Sequence, residues 1–329
     1  MKRLNNNIKH NFFKNYIYSY LKGIIIKMSG NFKSGFISLV GRTNVGKSSI
    51  INALVGEKVS AIANKPQTTR TAIRAIVNRE NSQIIFVDTP GIHKPKTKLG
   101  NIMVETAFGV ISDVDILLFV VEATSMEIGR GDRLILEKIK SQNIKTILII
   151  NKIDLIKKDE LAKLINLYSK EYNFEAIIPV SVTKKINLNE VLEEIEKNIN
   201  EGPAYYDIEE YTDQTMRQLA EEIIREKCLK LLNDEVPHGI YIEVEKMKKR
   251  KTMEKEPIYD LDATIYCLKN SHKGIIIGKD GTMLKKIGTY ARQDLEDMLQ
   301  TKINLKLWVK VKEDWLNDEK FVNKFKIDK

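Results

Sequence analysis

The feature that most constrains this chain is a glycine-rich segment that reads Gly41–Arg42–Thr43–Asn44–Val45–Gly46–Lys47–Ser48. It matches the phosphate-loop pattern G-x-x-x-x-G-K-[ST] at every fixed position. The apolar run Phe36–Val40 before it is typical of a buried strand, and Ser49–Val55 after it indicates a helix that Gly56 can stop. A strand, a glycine loop and a helix in this order aim backbone N–H groups and the helix dipole at one point. The sequence therefore predicts a phosphate site.

In such a site the lysine and the serine that end the pattern have separate tasks. Lys47 is expected to reach the β- and γ-phosphates of a nucleotide, and the Ser48 hydroxyl to ligate Mg²⁺. A second motif, Asp88–Thr89–Pro90–Gly91, directly follows the predicted strand Ile84–Val87. An aspartate at the carboxyl end of a strand can hold Mg²⁺ through water, and Gly91 can present its backbone N–H to a γ-phosphate. We therefore expect Asp88 to complete the metal site.

Two further motifs indicate that the base is guanine. The predicted strand Thr146–Ile150 leads into Asn151–Lys152–Ile153–Asp154, where the carboxylate can accept hydrogen bonds from guanine N1 and N2. Adenine supplies no such pair of donors, and the polar groups that a wrong base leaves unpaired make a site of this kind selective. The predicted strand Ala176–Val180 ends at Ser181–Val182, where a backbone N–H can contact the guanine oxygen.

The elements around these motifs predict an α/β domain. Further short strands, Ile73–Val77 and Ile116–Val121, alternate with helical stretches such as Arg133–Lys140 and Asn189–Ile199. This alternation is typical of a mostly parallel sheet whose ligand loops lie at the carboxyl ends of the strands. At 329 residues with 43% hydrophobic composition, the chain is long enough for two packed domains.

Charge and cysteine content limit the kinds of partner and the cellular compartment that we expect for the protein. A net charge of +10 indicates a polyanionic partner, either nucleic acid or anionic lipid. Cys228 and Cys267 form neither a metal-binding spacing nor a disulfide framework, which favours a reducing cytosol. We therefore predict a cytoplasmic protein, and peripheral contact with the inner face of the cell membrane stays open.

The N-terminal 32 residues are predicted to be a flexible extension. The longest uninterrupted apolar run between Tyr16 and Met28 is Ile24–Ile26, which is too short to span a bilayer. The basic character of these residues leaves open that they form an organelle transit peptide. We favour a non-essential extension that is an artefact of start assignment, because Met28 lies just ahead of the first strand.

A break at residues 201–212, which contain Gly202–Pro203, predicts a linker to a second domain. Beyond it, Thr212–Leu232 has the apolar spacing of a core-packing helix. Ile240–Val244 and Ile258–Leu268 are predicted strands, joined by a charged hairpin loop, Lys246–Glu256. This loop is either a solvated tip or a source of phosphate contacts beside an RNA surface.

The most informative motif of the second half is Gly278–Lys279–Asp280–Gly281. A G-x-x-G loop between two helices grips a single-stranded sugar-phosphate chain and is the signature of KH domains. The order helix, strand, strand, helix, loop, helix and a last strand at Ile303–Val311 fits a type II KH domain. The residues predicted to contact RNA are Lys273, Ile276, Ile277, Gly278, Lys279, Asp280, Gly281, Lys285 and Lys286.

The segments G-R-T-N-V-G-K-S, Q-T-T-R, D-T-P-G-I-H and N-K-I-D, together with the KH pattern, resemble the Era family of bacterial GTPases over about residues 33–320. The resemblance implies a Ras-like P-loop GTPase domain at 33–200, the linker at 201–212 and an α+β type II KH domain at 213–329. It also implies that the KH domain binds the 3′ end of small-subunit ribosomal RNA during ribosome assembly. Thr43 and Val182 stand where the family usually has Pro and Ala, and neither change removes a side-chain ligand.

The resemblance implies further roles near the γ-phosphate. Thr69 matches the switch threonine that closes on Mg²⁺, with Thr68 as the alternative. Ile92 stands where Ras-like proteins place a water-orienting glutamine, so intrinsic hydrolysis should be slow and stimulated by K⁺ or a partner. In related GTPases an asparagine at the position of Asn44 helps to hold K⁺. His93 is not expected to act as a general base, because phosphoryl transfer depends mainly on positioning and electrostatics.

The predicted catalytic groups are thus Lys47, Thr69, Gly91 and Asn44, and the predicted Mg²⁺ ligands are Ser48, Thr69 and Asp88. The predicted GTP contacts are Gly41, Arg42, Thr43, Asn44, Val45, Gly46, Lys47, Ser48, Asp88, Thr89, Pro90, Gly91, Ile92, Asn151, Lys152, Ile153, Asp154, Ser181 and Val182.

The combined prediction is a monomeric enzyme that hydrolyses GTP slowly, binds the 3′ region of small-subunit ribosomal RNA and acts in assembly of the small ribosomal subunit. Two alternatives stay open. One is a GTP-gated RNA chaperone whose hydrolysis is incidental, which Ile92 favours. The other is a membrane-surface GTPase that uses the basic N terminus and Lys246–Lys251 on anionic lipid. The KH pattern disfavours a tRNA-modifying GTPase.

Overall fold

The computed structural model describes residues 32–62, 69–91, 95, 97–111, 113–253 and 256–325. The predicted N-terminal extension, apart from its last residue, lies outside the described residues. Three positions discussed above, Thr68, Ile92 and His93, also lie outside them.

The first half of the described chain alternates between strands and helices. Its elements are β1 (Lys33–Val40), α1 (Lys47–Val55), β2 (Ile73–Asn78), β3 (Ser82–Asp88), α2 (Lys98–Ile111), β4 (Ile116–Glu122), α3 (Arg130–Gln142), β5 (Thr146–Asn151), α4 (Lys158–Ser169), β6 (Ala176–Pro179) and α5 (Leu188–Asn198). The predicted strands and helices are confirmed, with ends that differ by a few residues. Helix α1 ends as predicted at Gly56, which adopts a left-handed conformation with φ 83°.

These strands form one six-stranded sheet in the order β2-β3-β1-β4-β5-β6. β2 is antiparallel to β3, and the other neighbours are parallel. Alternate residues of the central strands enter two apolar clusters on opposite faces of the sheet: Leu118 and Ile149 lie in one cluster, Phe119 and Leu148 in the other. Parallel strands buried on both faces need continuous apolar sequence, which explains why they were visible as short apolar runs.

The second half of the chain is a smaller α+β unit. It contains α6 (Met216–Leu231), β7 (Tyr241–Lys251), β8 (Pro257–Cys267), α7 (Asn270–Ile277), α8 (Thr282–Leu299), β9 (Lys302–Val311) and the short α9 (Glu319–Val322). The sheet order is β7-β8-β9, with β7 antiparallel and β9 parallel to the central β8. The predicted order of elements is confirmed.

The predicted hairpin at Lys246–Glu256 is confirmed, but the prediction that its loop begins at Lys246 was wrong. The basic run up to Lys251 belongs to β7, which continues past a bulge between Val244 and Lys246 and pairs with β8 as far as Pro257. Strand pairing gives the cations acidic neighbours, because Lys246 lies opposite Asp262 and Arg250 donates to Asp260 at 2.7 Å. Exposed charges hide a strand from a hydrophobicity pattern, since they remove the apolar alternation on which the pattern depends.

The predicted linker is extended and hydrogen-bonded along the edge of the large sheet. Gln83 Oε1 accepts from the backbone N–H groups of Tyr205 and Tyr206 at 2.7 and 3.0 Å. Further along, Asn78 Nδ2 donates to the Glu210 carbonyl at 3.0 Å, and Ile76 N–H donates to the Tyr211 carbonyl at 2.9 Å. The linker is therefore fixed against β2 and β3.

A third apolar cluster joins the halves at the C-terminal end. Its centre is Trp315, which is fully buried and donates from Nε1 to the Gly239 carbonyl at 3.0 Å. Phe321, Val322 and Phe325 surround it, together with Leu99, Ile102 and Met103 of α2. The sequence analysis did not predict this cluster, because its members come from segments more than 200 residues apart and show no local periodicity.

No helix within the described ranges combines the length and the apolar character needed to cross a bilayer.

Candidate functional site

The glycine-rich segment forms the turn between β1 and α1, at the carboxyl edge of the large sheet. Two of its glycines are required by close contacts. A Cβ atom on Gly41 would lie 2.4 Å from the Val120 carbonyl oxygen, and one on Gly46 would lie 2.2 Å from Asn151 Nδ2. Gly46 also has φ 102°, a conformation that side chains disfavour. The loop is therefore held tightly between its own strand and the neighbouring strand ends.

Lys47 lies inside this loop with little solvent exposure. Its Nζ atom donates to the carbonyl oxygens of Gly41 and Arg42, both at 3.0 Å. Burial lowers the pKa of Lys47 to about 8, and the nearby Asp88 carboxylate opposes that shift. The ammonium group is thus poorly solvated, and contact with a polyanion would stabilise its charged form.

Asp88 at the end of β3 is fully buried and collects hydroxyl groups from three segments. Its Oδ2 atom accepts from Ser60 at 2.7 Å, Ser48 at 2.9 Å and Thr69 at 3.1 Å. Burial raises the pKa of Asp88, and the hydroxyl donors together with Lys47 oppose this shift. In the part of the chain that the structure describes, the buried Oδ1 atom has no hydrogen-bond partner.

This arrangement fits Mg²⁺. The ion prefers oxygen ligands and keeps several of its waters, which hydrogen-bond to nearby carboxylates. Asp88 Oδ1 offers an unsatisfied acceptor for such a water. The Ser48 and Thr69 hydroxyls, which donate to the other carboxylate oxygen, lie 3.0 Å from each other. When bound, Mg²⁺ would neutralise charge on the phosphate oxygens.

The N-K-x-D residues, which begin at the end of β5, make hydrogen bonds to the phosphate loop and to the loop after β6. Asn151 Nδ2 donates to the Val45 carbonyl at 2.9 Å, and Lys152 Nζ donates to the Asn44 carbonyl at 3.1 Å. The Ser181 hydroxyl donates to Asp154 Oδ1 and fixes the orientation of that carboxylate. Asn151 and Lys152 thus brace the phosphate loop, while Asp154 stays available to a base.

The loop after β6 differs in one respect from the simplest expectation. The Ser181 backbone N–H donates to the Ile186 carbonyl at 3.3 Å, in a short bridge that closes the loop. Of the predicted pair, Ser181 therefore uses its backbone N–H within the loop, and Val182 is the residue that lines the cavity between these groups.

A cavity of about 420 Å³ connects these groups. The predicted residues that line it are Thr43, Asn44, Gly46, Lys47, Ser48, Thr69, Gly91, Asn151, Lys152, Asp154 and Val182. It is also lined by residues that the sequence analysis did not predict as site residues, which are Ser49, Ala61, Ile62, Leu155 and Thr183. Ser49, Leu155 and Thr183 each directly follow a motif residue, and this adjacency was the available signal for them. Ala61 and Ile62 adjoin no motif, so the sequence carried no such signal for them.

Two predicted GTP contacts have structural tasks for their side chains. The buried Thr89 hydroxyl donates to the Leu39 carbonyl at 2.9 Å. The Arg42 guanidinium donates to the buried Asp132 at 3.0 Å and to Ser125 Oγ at 3.0 Å, which ties the phosphate loop to α3. Both side chains support the site from behind.

In the smaller unit, the G-x-x-G loop connects α7 to α8. Gly278, Asp280 and Gly281 all have positive φ, at 73°, 53° and 75°. A Cβ atom on Gly281 would meet nothing within 4 Å, so the loop leaves open space in front of this glycine and the N terminus of α8. Lys279, Lys285 and Lys286 are exposed around it.

The prediction that Ile276 lines an RNA groove was wrong. The side chain is fully buried in the core of the smaller unit, on the same helical face as the buried His272. Helical periodicity turns its neighbours outward: Ile275 is 50% exposed and Ile277 is partly buried. The apolar surface beside the loop therefore comes from Ile275 and Ile277.

Comparisons with known proteins agree with this architecture. A family model described as 50S ribosome-binding GTPase matches residues 36–152, and a KH domain model matches residues 220–316. GTPase Era of Clostridioides difficile is 51% identical over 295 residues, which are 89% of this chain and 98% of that protein. GTPase Era of Clostridium kluyveri is 49% identical over 290 residues, 88% of this chain and 97% of that protein.

Solved structures give the same answer. Crystallised Era in complex with MgGDPNP and nucleotides 1506–1542 of 16S ribosomal RNA has a TM-score of 0.85 and 38% identity, covering 89% of this chain and 98% of that chain. An Aquifex aeolicus Era variant bound to GDP and AlF4⁻ also has a TM-score of 0.85, with 37% identity and coverage of 89% and 99%. With identity near 50% over almost the full length of its relatives, this chain belongs to the Era family of GTPases.

Proposed function

We propose that this protein binds and slowly hydrolyses GTP, binds the 3′ region of small-subunit ribosomal RNA, and acts in assembly of the small ribosomal subunit. The observation that carries the proposal is the presence, in one chain, of the nucleotide cavity and the open G-x-x-G loop. A relative with the same two units binds a GTP analogue and 16S ribosomal RNA together. We also propose a cytoplasmic monomer, in which the buried Cys228 and Cys267 stay reduced.

The units proposed are a GTPase domain at 33–200, a linker at 201–212 and a KH domain at 213–329. In the GTPase domain, Lys47 and the backbone N–H groups of residues 41–48 would hold the phosphates, and Asp154 would accept from guanine. Ser48, Thr69 and Asp88 would hold Mg²⁺, which the convergence of their oxygens supports. Gly91 would offer its backbone N–H to the γ-phosphate from the cavity wall.

Hydrolysis is proposed to depend on K⁺. Ile92 has no polar group with which to orient water, so another source of transition-state stabilisation is needed. Asn44 lines the phosphate end of the cavity, with its backbone held at φ 67° and its carbonyl fixed by Lys152. Its side-chain amide is the group that we assign to K⁺.

We propose that the nucleotide bound in the GTPase domain affects the KH domain through the residues on either side of segment 63–68. At one end, the Ile62 backbone N–H donates to Glu226 Oε2 of α6 at 3.0 Å, and Glu226 is fully buried. At the other end, the buried Arg70 donates to the His238 carbonyl at 2.8 Å and to the Ile240 carbonyl. Arg70 directly follows Thr69, so closing of that threonine on a nucleotide would pull on KH-domain carbonyls.

RNA recognition is tested first by crosslinking in the native cell with a non-hydrolysable GTP analogue, followed by sequencing of the bound fragments. We expect fragments from the 3′ end of the small-subunit ribosomal RNA, and their loss when Gly281 becomes Asp. In vitro, Gly281→Asp should weaken binding of that RNA segment on the order of tenfold or more, because a carboxylate would face the phosphates.

The matched control is Gly281→Asn, which has the same size and also tolerates positive φ but carries no charge. It should retain most of the affinity. Crosslinks that are scattered or centred on tRNA would contradict the ribosomal assignment, and equal losses in the two variants would contradict the phosphate contact.

The coupling is tested with Arg70→Lys, which keeps the charge but loses the planar fork that serves two carbonyls. We expect the ratio of RNA affinities with GTP analogue and with GDP to fall toward one from a native value of about 5 to 150. GDP affinity should stay within about twofold of native, because Arg70 is not among the described residues that line the cavity.

Arg79→Lys is the control, since Arg79 pairs with Glu196 on the far side of the GTPase domain. By linkage, RNA must change the preference for GTP over GDP by the same factor in each variant. A native ratio in Arg70→Lys would contradict the coupling route.

The lowered pKa of Lys47 predicts a pH dependence of GDP binding. Phosphates raise the pKa of a bound lysine, so binding is accompanied by proton uptake and the protonated form binds better. Affinity should therefore fall as pH rises through about 8, approaching about tenfold per pH unit above it.

Calorimetry between about pH 7 and 9, in two buffers that differ in ionisation enthalpy, measures both the affinity and the proton uptake. Lys47→Arg is the control, because its guanidinium stays charged across this range. A native affinity that does not change with pH would contradict the prediction.

For K⁺, single-turnover GTP hydrolysis should be on the order of tenfold faster in K⁺ than in Na⁺ at equal ionic strength, because a cation at the transferring phosphate stabilises developing charge. Asn44→Ala should abolish the difference while GDP still binds. Equal native rates in the two salts would remove the role proposed for Asn44.

A further inference from the structure

Ser60 lies outside all four nucleotide motifs, in the loop after α1. Its side chain is 2% exposed, and its hydroxyl donates to Asp88 Oδ2 at 2.7 Å. Ser60 is not among the described residues that line the nucleotide cavity. Its polar group is therefore directed at the carboxylate from behind rather than at a ligand.

The backbone of Ser60 is fixed by one side chain of α1. Asn52 Oδ1 accepts from the Ser60 N–H at 2.9 Å and from the Val59 N–H at 3.0 Å. Asn52 Nδ2 donates back to the Ser60 carbonyl at 2.7 Å. Asn52 lies one helical turn after Ser48, so α1 supplies both the proposed metal ligand and the support of Ser60.

The three hydroxyls on Asp88 Oδ2 are not equivalent. Ser48 and Thr69 are the proposed Mg²⁺ ligands, so their oxygens would be shared with the ion. Thr69 also directly precedes Arg70, through which the nucleotide state is proposed to affect the KH domain. The Ser60 hydroxyl has no such second task, and its backbone is held independently of the nucleotide. Its hydrogen bond can therefore persist in every state of the cycle.

We propose that Ser60 is a positioning residue for Mg²⁺. By donating to Oδ2 of Asp88 it holds the buried carboxylate in one orientation, which would leave the unpartnered Oδ1 available to accept from a water of the ion. This inference rests on the proposed binding of GTP and Mg²⁺. It adds a residue that contacts neither nucleotide nor metal and acts through Asp88.

The test measures release of a fluorescent GDP analogue from the full chain at a series of buffered free Mg²⁺ concentrations. In Ser60→Ala, the Mg²⁺ concentration that half-maximally slows release should rise about tenfold or more, as for other partners that orient metal-binding groups. The release rate in excess EDTA should equal that of the native protein, because the phosphate and guanine contacts are intact. Ser60→Thr, which keeps the hydroxyl donor, should restore the Mg²⁺ midpoint toward the native value.

Ser34→Ala is the matched control. Ser34 is also a buried serine of the same sheet, at the opposite end of β1, and its hydroxyl has no hydrogen-bond partner within the described residues. It should change neither the Mg²⁺ midpoint nor the rate in EDTA.

Two results would overturn the inference. One is an unchanged Mg²⁺ midpoint in Ser60→Ala. The other is an equal change with and without Mg²⁺, which would show that Ser60 supports the nucleotide site as a whole. Failure of the proposed function is distinguishable, because the native protein would then release the analogue at a rate independent of Mg²⁺.

Discussion

A fully buried carboxylate at the end of β3 is the constraint on which the nucleotide site depends. A charge removed from water is tolerated when hydrogen-bond donors surround it, and Asp88 takes its donors from α1, from the loop after α1 and from residue 69. Because β1 and β3 are neighbours with Leu39 opposite Asp88, the carboxylate also lies beside the start of the phosphate loop. Satisfying one buried group therefore brings together the segments that carry the proposed metal ligands.

Buried charges that are surrounded by hydrogen-bond partners also hold the two domains together. Glu226 is fully buried in α6 and receives Lys58 at 2.9 Å, Lys230 at 2.6 Å and the Ile62 N–H. Arg70 enters the KH side, and its guanidinium lies 5.5 Å from the Trp315 ring. Removing one partner of a buried charge is strongly destabilising, so these contacts cannot be exchanged for water at little cost. Ile62 and Arg70, on either side of residues 63–68, are therefore both anchored to the KH domain.

Two parts of the KH domain show which features depend on the local sequence and which depend on tertiary contacts. Positive φ at Gly278 and Gly281 favours glycine, and this local preference makes the loop visible in the sequence. The basic end of β7 is different, because it is held in a strand by pairing with β8 and by ion pairs such as Arg250 with Asp260. Since these partners come from across the hairpin, a reading of the local pattern predicted a loop there.

By itself, the sequence determined the order of the elements, the phosphate loop, the guanine motif and the G-x-x-G loop. These features follow from local chemistry: glycines where backbones meet, apolar runs where strands are buried on both faces, and fixed polar residues at strand ends. The tertiary structure decided the burial of Ile276, the strand at Lys246–Lys251, the Trp315 cluster and the hydrogen bond from Ser60 to Asp88. Each of these depends on partners distant in sequence, and a single sequence carries no local signal of which distant groups will meet.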